Sequence, residues 1–174
     1  TVSTVLYSIQ FSIVLLRVHI SLSVKQTDCY PSRDLSLRNH YKFVEKMASS
    51  GDIEANEAMC RYCFDVLTAH FDGRDVNGVP KVDPSDSVSV GGMFVTLNIF
   101  NSSGHKQLRG CIGRLSELRL NEMSNYVLMS AFKDSRFDPL TADELPKLEV
   151  AISLLIKYEP ADNYLDWEVT AMMS

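Results

Sequence analysis

Two segments of the chain alternate between apolar and polar residues, and this period of two is typical of half-buried strands. One face is apolar in residues 93–100 (Met93, Val95, Leu97, Ile99) and again in residues 148–156 (Leu148, Val150, Ile152, Leu154). The sequence Asn-Ser-Ser-Gly at 101–104 predicts a hairpin turn after the first strand. We therefore expect residues 108–113 to return as the antiparallel neighbour of that strand.

Apolar residues recur at helical spacing in residues 52–69 and 118–132, which predicts two amphipathic helices. A capping box at Thr141 and Glu144 predicts a short helix that begins at Ala142, with Pro146 just past its end. Residues 72–92 are rich in Gly, Asp, Ser and Pro and predict a long surface loop. Helices and strands mix without a βαβ repeat, so we predict an α+β fold with a largely antiparallel sheet and flanking helices.

The first 45 residues do not fit this pattern. Their apolar run is broken by serines and followed by Arg17 and His19, so it falls short of the roughly 18 apolar residues that span a bilayer. A signal peptide would carry its basic residues before the run. We expect residues 1–45 to be an atypical leader or linker outside the fold, with an amphipathic strand or helix and a true signal sequence as alternatives. Residues 46–174 then form the domain.

Composition narrows the classes of function. The 174 residues fit one compact domain or two small lobes, and the net charge of −5 argues against broad binding to nucleic acid or to an anionic membrane. The four cysteines are unevenly spaced, which is typical of free thiols in a reducing compartment, so we expect an intracellular protein of the cytoplasm or nucleus. Cys60 and Cys63 lie mid-helix without two further ligands nearby, which favours a structural role and no metal site.

The most distinctive stretch is Leu-Arg-Gly-Cys-Ile-Gly at 108–113 (the hexapeptide). In a strand, Leu108, Gly110 and Ile112 would share one face, and Arg109, Cys111 and Gly113 the other. Glycines inside a strand indicate that something approaches the backbone closely. The alternative interpretation is a buried structural cysteine, because free cysteine is among the most buried residue types.

The hexapeptide resembles the hallmark of the AMMECR domain family, which takes its name from a human chromosomal-deletion syndrome. Further stretches are similar to the same family: residues 59–67, residues 133–137 (Lys-Asp-Ser-Arg-Phe) with 143–146, and residues 164–169. The resemblance implies an α+β fold of two unequal lobes, with the hexapeptide near the cleft between them. It implies no particular reaction or cofactor, although bacterial relatives often occur with Memo-type and radical-SAM-type proteins.

The family's pattern continues beyond Val169, with a Gly-x-x-Gly segment and further elements. We therefore expect the C-terminal part of the domain to be missing here. Loss of closing strands would expose unpaired edges, so we expect marginal stability and a tendency to aggregate.

Two hypotheses about function remain open. In the first, Cys111 is the nucleophile of a thiol-dependent enzyme, and the charge of Arg109 favours the thiolate. No histidine is placed by the sequence to activate it, because His105 lies about 20 Å away along an extended strand. In the second, the domain is a binding or adaptor module for a protein partner or a small anionic ligand. The residues expected to bind are Arg109, Gly110, Gly113, Asp134, Ser135 and Arg136, with Arg114 as a further cation. For Arg136, a structural ion pair with Asp134 or Asp138 is the alternative.

Overall fold

The computed structural model describes residues 14–26, 53–83 and 86–160. Its strands are β1 (Val14–Lys25), β2 (Ser89–Val90), β3 (Gly92–Phe100), β4 (Lys106–Arg114), β5 (Leu118–Arg119) and β6 (Leu148–Pro160), and its helices are α1 (Glu57–Phe71) and α2 (Met123–Phe132). Short 3-10 helices cover Val76–Gly78, Leu120–Glu122 and Ala142–Lys147. Helices combined with antiparallel strands confirm the α+β prediction.

The main sheet has four strands in the order β1-β6-β3-β4, and β2 pairs with β5 in a separate ribbon. β3 lies between β4 and β6 and is antiparallel to both, with Val95 opposite Ile112 on one side and Ile152 on the other. The predicted hairpin is therefore confirmed. Gly104 takes a positive φ of 78° in its turn, a conformation that glycine adopts without steric cost.

The two helices pack on one face of this sheet. α1 begins after Asn56, whose side chain accepts a hydrogen bond from the Met59 N–H at 3.2 Å. Its buried residues join those of α2, β3 and β6 in one apolar core. Cys60 and Cys63 are both fully buried within it. This agrees with a structural role for the pair.

The second helix starts later than the predicted residue 118. Leu118–Arg119 instead pair with Ser89–Val90, and a 3-10 turn leads into α2 at Met123. Long-range hydrogen bonds hold this arrangement: Asn121 Nδ2 donates to the Asp83 carbonyl at 2.7 Å, and the Asp83 N–H donates to Asn121 Oδ1 at 3.1 Å. These contacts join residues 38 positions apart, so local periodicity could not reveal them.

β1 pairs with β6 along the outer side of the main sheet, with Lys25 opposite Glu149. Val14–Lys25 thus form a strand, one of the alternatives offered for residues 1–45, and the domain boundary at residue 46 and the two-lobe arrangement stay predictions. The motif at 164–169 lies outside the described residues. Within the described ranges, no helix combines the length and apolar character needed to cross a membrane.

Candidate functional site

The hexapeptide lies on β4, one of the two edge strands of the main sheet among the described residues. Gly110 pairs with Leu97, but the next pair is Asn98 with Leu108, so Arg109 is an extra residue at a register shift. Such a bulge interrupts the alternation of side chains. The prediction that Leu108 shares a face with Gly110 and Ile112 is therefore wrong. Leu108 is 41% exposed, whereas Gly110 is buried.

Cys111 is directly opposite Thr96, on the face of the sheet that points away from the helices. Its Sγ lies 3.2 Å from the Thr96 hydroxyl oxygen. The residue Cys111 is half-buried, whereas Cys60 and Cys63 are fully buried. Of the three cysteines in the described part of the chain, Cys111 is thus the one that is not fully enclosed by the core.

The backbone around Gly110 and Ile112 is held by Ser130 of α2. A Cβ added to Gly110 would overlap the carbonyl oxygen of Ser130, so the helix approaches the strand as the glycine predicted. The buried Ser130 hydroxyl accepts from the Ile112 N–H at 2.9 Å and donates to the Val95 carbonyl at 2.8 Å. It therefore bridges β3 and β4 at a pair of opposed residues. Ser130 was not among the predicted site residues, because a serine inside an apolar helix carries no local signal of such a contact.

Asp134 and Arg136 hold the backbone of Cys111 from the open edge of the strand (the Asp134–Arg136 clamp). The Cys111 N–H donates to Asp134 Oδ2 at 2.9 Å, and Arg136 Nη2 donates to the Cys111 carbonyl at 3.1 Å. The two side chains also pair with each other, Nε to Oδ1 at 2.9 Å and Nη2 to Oδ2 at 2.6 Å. The clamp therefore occupies the position that a further strand would take.

Electrostatics fix the ionisation of the clamp. The bond from Arg136, followed by that from the Cys111 N–H, holds the pKa of Asp134 far below its usual range. In turn, Asp134 raises the pKa of Arg136. The carboxylate is nearly buried and the guanidinium is about half exposed, with side-chain exposures of 4% and 54%. The structure therefore contains the ion pair between Arg136 and Asp134, which was the alternative to a ligand-binding role for Arg136.

Arg109 points towards the segment that follows α2. Its Nε and Nη2 donate to the two carboxylate oxygens of Glu144 at 2.7 and 2.9 Å, and its Nη1 donates to the Asp138 carbonyl at 2.9 Å. The pKa of Glu144 is lowered, chiefly by Arg109 and then by the bonds from Thr141. Glu144 thus forms the predicted capping box with Thr141. It also offsets the positive charge of Arg109, which the sequence had suggested would favour the Cys111 thiolate.

The remaining predicted site residues fall around this arrangement. Gly113 is opposite Phe94, and a Cβ there would overlap the Met93 carbonyl oxygen and the Phe94 ring. Ser135 is exposed between the two clamp residues. His70 packs on the Phe132 ring at 4.3 Å, and His105 lies 3.3 Å from the Ser103 hydroxyl. No group of three or more metal-ligating side chains is assembled among the described residues.

Comparison with known proteins shows which family the sequence matches. A family model described as AMMECR1 matches residues 60–172. An uncharacterised Arabidopsis thaliana protein is 41% identical over 118 residues, which cover 67% of this chain and 53% of the plant protein. An uncharacterised Schizosaccharomyces pombe protein is 38% identical over 112 residues, covering 63% and 56%. The chain spans about half the length of these curated relatives. A crystal structure of an uncharacterised Pyrococcus horikoshii protein is similar with a TM-score of 0.47 at 28% identity, covering 56% of this chain and 49% of that one.

Proposed function

The chain belongs to the AMMECR1 family, and we propose that it is a thiol-dependent enzyme whose nucleophile is Cys111. The observation that carries the proposal is a half-buried thiol on an otherwise fixed strand, 3.2 Å from the Thr96 hydroxyl. Asp134 and Arg136 hold the backbone N–H and carbonyl of the same residue. Nucleophiles act best when their own position is locked by surrounding contacts.

The contacts also limit the chemistry. The Cys111 N–H is already donated to Asp134, so it does not serve as an oxyanion-hole donor. The Thr96 hydroxyl lies within hydrogen-bond distance of the sulfur, and either group can be the donor. In the proposed step the thiolate forms a C–S bond to an electrophilic carbon, the leaving group departs with its electron pair, and the thiol proton passes to water.

Site-resolved alkylation tests this proposal. We expect iodoacetamide to label Cys111 of the folded protein faster at pH 7.4 than it labels a synthetic peptide of the hexapeptide sequence, because the Thr96 hydroxyl, 3.2 Å from the sulfur, can donate a hydrogen bond to it as it attacks. Mass spectrometry gives the rate for each cysteine. Thr96→Val keeps the side-chain volume while removing the hydroxyl, so a change in the rate isolates the contact between Thr96 and the sulfur.

Labelling no faster than that of the free peptide, together with full cellular activity of Cys111→Ala, would exclude the enzyme proposal. The matched cellular control is Ser103→Ala, at an exposed residue of the β3–β4 turn whose hydroxyl donates within that turn, to Asn101. Loss of activity in Cys111→Ala with retention in Ser103→Ala is the supporting outcome.

A binding or adaptor function is the second candidate, and one observation favours it. The Arg136 guanidinium is oriented by Asp134 and yet is 54% exposed, so it is presented rigidly at the surface. Arginine held in this way suits a carboxylate or phosphate of a protein partner or a small anionic ligand. Binding that persists in Cys111→Ala and is lost in Arg136→Gln would favour this function over the enzyme.

We further propose that the protein acts inside the cell, in the cytoplasm or nucleus. The support is the small number and uneven spacing of the four cysteines, which suits a reducing compartment.

A further inference from the structure

A cavity of about 640 Å³ opens at one end of the main sheet, away from Cys111. The end of β3, the start of β4 and the last turn of the 3-10 helix at 142–147 surround it. Ile99, Pro146 and Leu148 give it an apolar part, while Lys25, Lys147 and Gln107 contribute polar groups. Its volume lies within the range of cavities that bind small organic molecules.

Positive charge dominates the lining of this cavity. Its two charged lining residues, Lys25 and Lys147, are both lysines, in a chain whose net charge is −5. The Lys25 ammonium lies 4.4 Å from the centre of the Phe100 ring, which itself lines the cavity. This cation–π contact holds the charge at the wall of the cavity.

The nearby carboxylate of Glu149 does not cancel this charge. Glu149 is opposite Lys25 in the strand register, but its Oε1 accepts from Lys106 Nζ at 3.1 Å and from Asn98 Nδ2 at 3.3 Å. Its side chain is only 8% exposed. The negative charge of Glu149 is thus engaged by a third lysine, and the cavity keeps a positive excess.

We propose that this cavity binds a small organic anion, a carboxylate or phosphate monoester attached to a flat apolar group. The lysines and the Gln107 amide supply donors for the anion, and the apolar part of the lining covers the body of the ligand. An inorganic anion would leave the apolar surface uncovered, and a neutral aromatic compound would leave the two ammonium groups without a counter-charge. The site goes beyond the proposed thiol function, because none of its lining residues belongs to the hexapeptide.

Calorimetric titration with phenyl phosphate tests the proposal, with sodium phosphate and benzyl alcohol as probes for the anion alone and the apolar body alone. The test variant is the double substitution Lys25→Gln/Lys147→Gln. Its matched control is Lys81→Gln/Lys133→Gln, which removes the same charge from exposed lysines that do not line the cavity.

We expect phenyl phosphate to bind more tightly than either partial probe. The test variant should weaken that binding by about tenfold, which corresponds to loss of about one charge-assisted hydrogen bond, whereas the control variant should leave it unchanged. An absence of saturable binding, an unchanged affinity in the test variant, or an equal loss in the control variant would overturn the proposal. The rate of Cys111 labelling is measured in a separate experiment. Failure of the cavity proposal can therefore be distinguished from failure of the thiol-enzyme proposal.

Discussion

Gly110 lacks a side chain because the backbone of α2 occupies the place of a Cβ. The atom that such a Cβ would overlap is the carbonyl oxygen of Ser130, which belongs to a helix and has little freedom to retreat. The adjacent Ser130 hydroxyl joins Ile112 to Val95. The sequence could predict that some group approaches the backbone of Gly110 closely. It could not identify that group as Ser130, which lies on α2 and not on the neighbouring strand.

Gly110→Ala should lower the free energy of unfolding by about 3 kcal/mol, the upper end of the usual cost of overpacking, because strand and helix must separate to admit the methyl group. Urea unfolding followed by circular dichroism gives the difference. The matched control is Gly78→Ala, where a Cβ meets no atom within 4 Å. We expect that control to change stability by less than about 0.5 kcal/mol. Equal effects at the two glycines would contradict the role of the α2 contact.

At the scale of elements, periodicity predicted β3, β6 and α1 because each has one apolar face directed at the core, and the turn at residues 101–104 predicted β4. The bulge at Arg109 escaped prediction, since an inserted residue has no periodic signature. The same limit applies to Asp134 and Arg136. Their sequence indicates a polar turn with an ion pair, but its attachment to the Cys111 backbone depends on how α2 packs on β4.

The Asp134–Arg136 clamp makes stability depend on pH in a defined direction. The folded-state pKa of Asp134 lies below the unfolded value of about 3.9, so the folded protein binds fewer protons at this carboxyl. Its contribution is therefore complete above about pH 5 and is lost as the pH falls below about 4. Asp134→Asn should cost about 1 kcal/mol at pH 7, and its difference from the parent protein should shrink between pH 5 and pH 3.

Urea unfolding at pH 7, 5, 4 and 3 measures this difference. Asp138→Asn is the control on the same turn, because the Asp138 side chain is exposed and its contact with Arg109 is made through the backbone carbonyl. A deficit of Asp134→Asn that stays constant from pH 7 to pH 3 would rule out the clamp carboxylate as its source.

At the scale of the whole molecule, one apolar core joins both helices to β3 and β6 and includes residues of the loop at 76–90. The fold class followed from the mixture of helical and strand periods. The strand order β1-β6-β3-β4 could not be predicted in the same way. β3 and β6 pair residues that are roughly 50 to 60 positions apart, and many other pairings would satisfy the same alternation of apolar and polar residues. A single core also implies that its parts open together, since no smaller apolar cluster among the described residues supports one helix alone.

Cysteine labelling can measure this cooperativity, because Cys60 and Cys63 lie in the core on α1 while Cys111 lies half-buried on the outer face of the sheet. Without denaturant, we expect iodoacetamide to modify Cys111 while Cys60 and Cys63 remain protected. As urea increases, the latter two should become reactive together, at the midpoint of the circular-dichroism transition, because exposing either thiol requires α1 to leave the sheet. Site-resolved mass spectrometry separates the three positions. Modification of Cys60 or Cys63 at the native rate of Cys111, or well before that midpoint, would mean that α1 opens without global unfolding and that the core is not one cooperative unit.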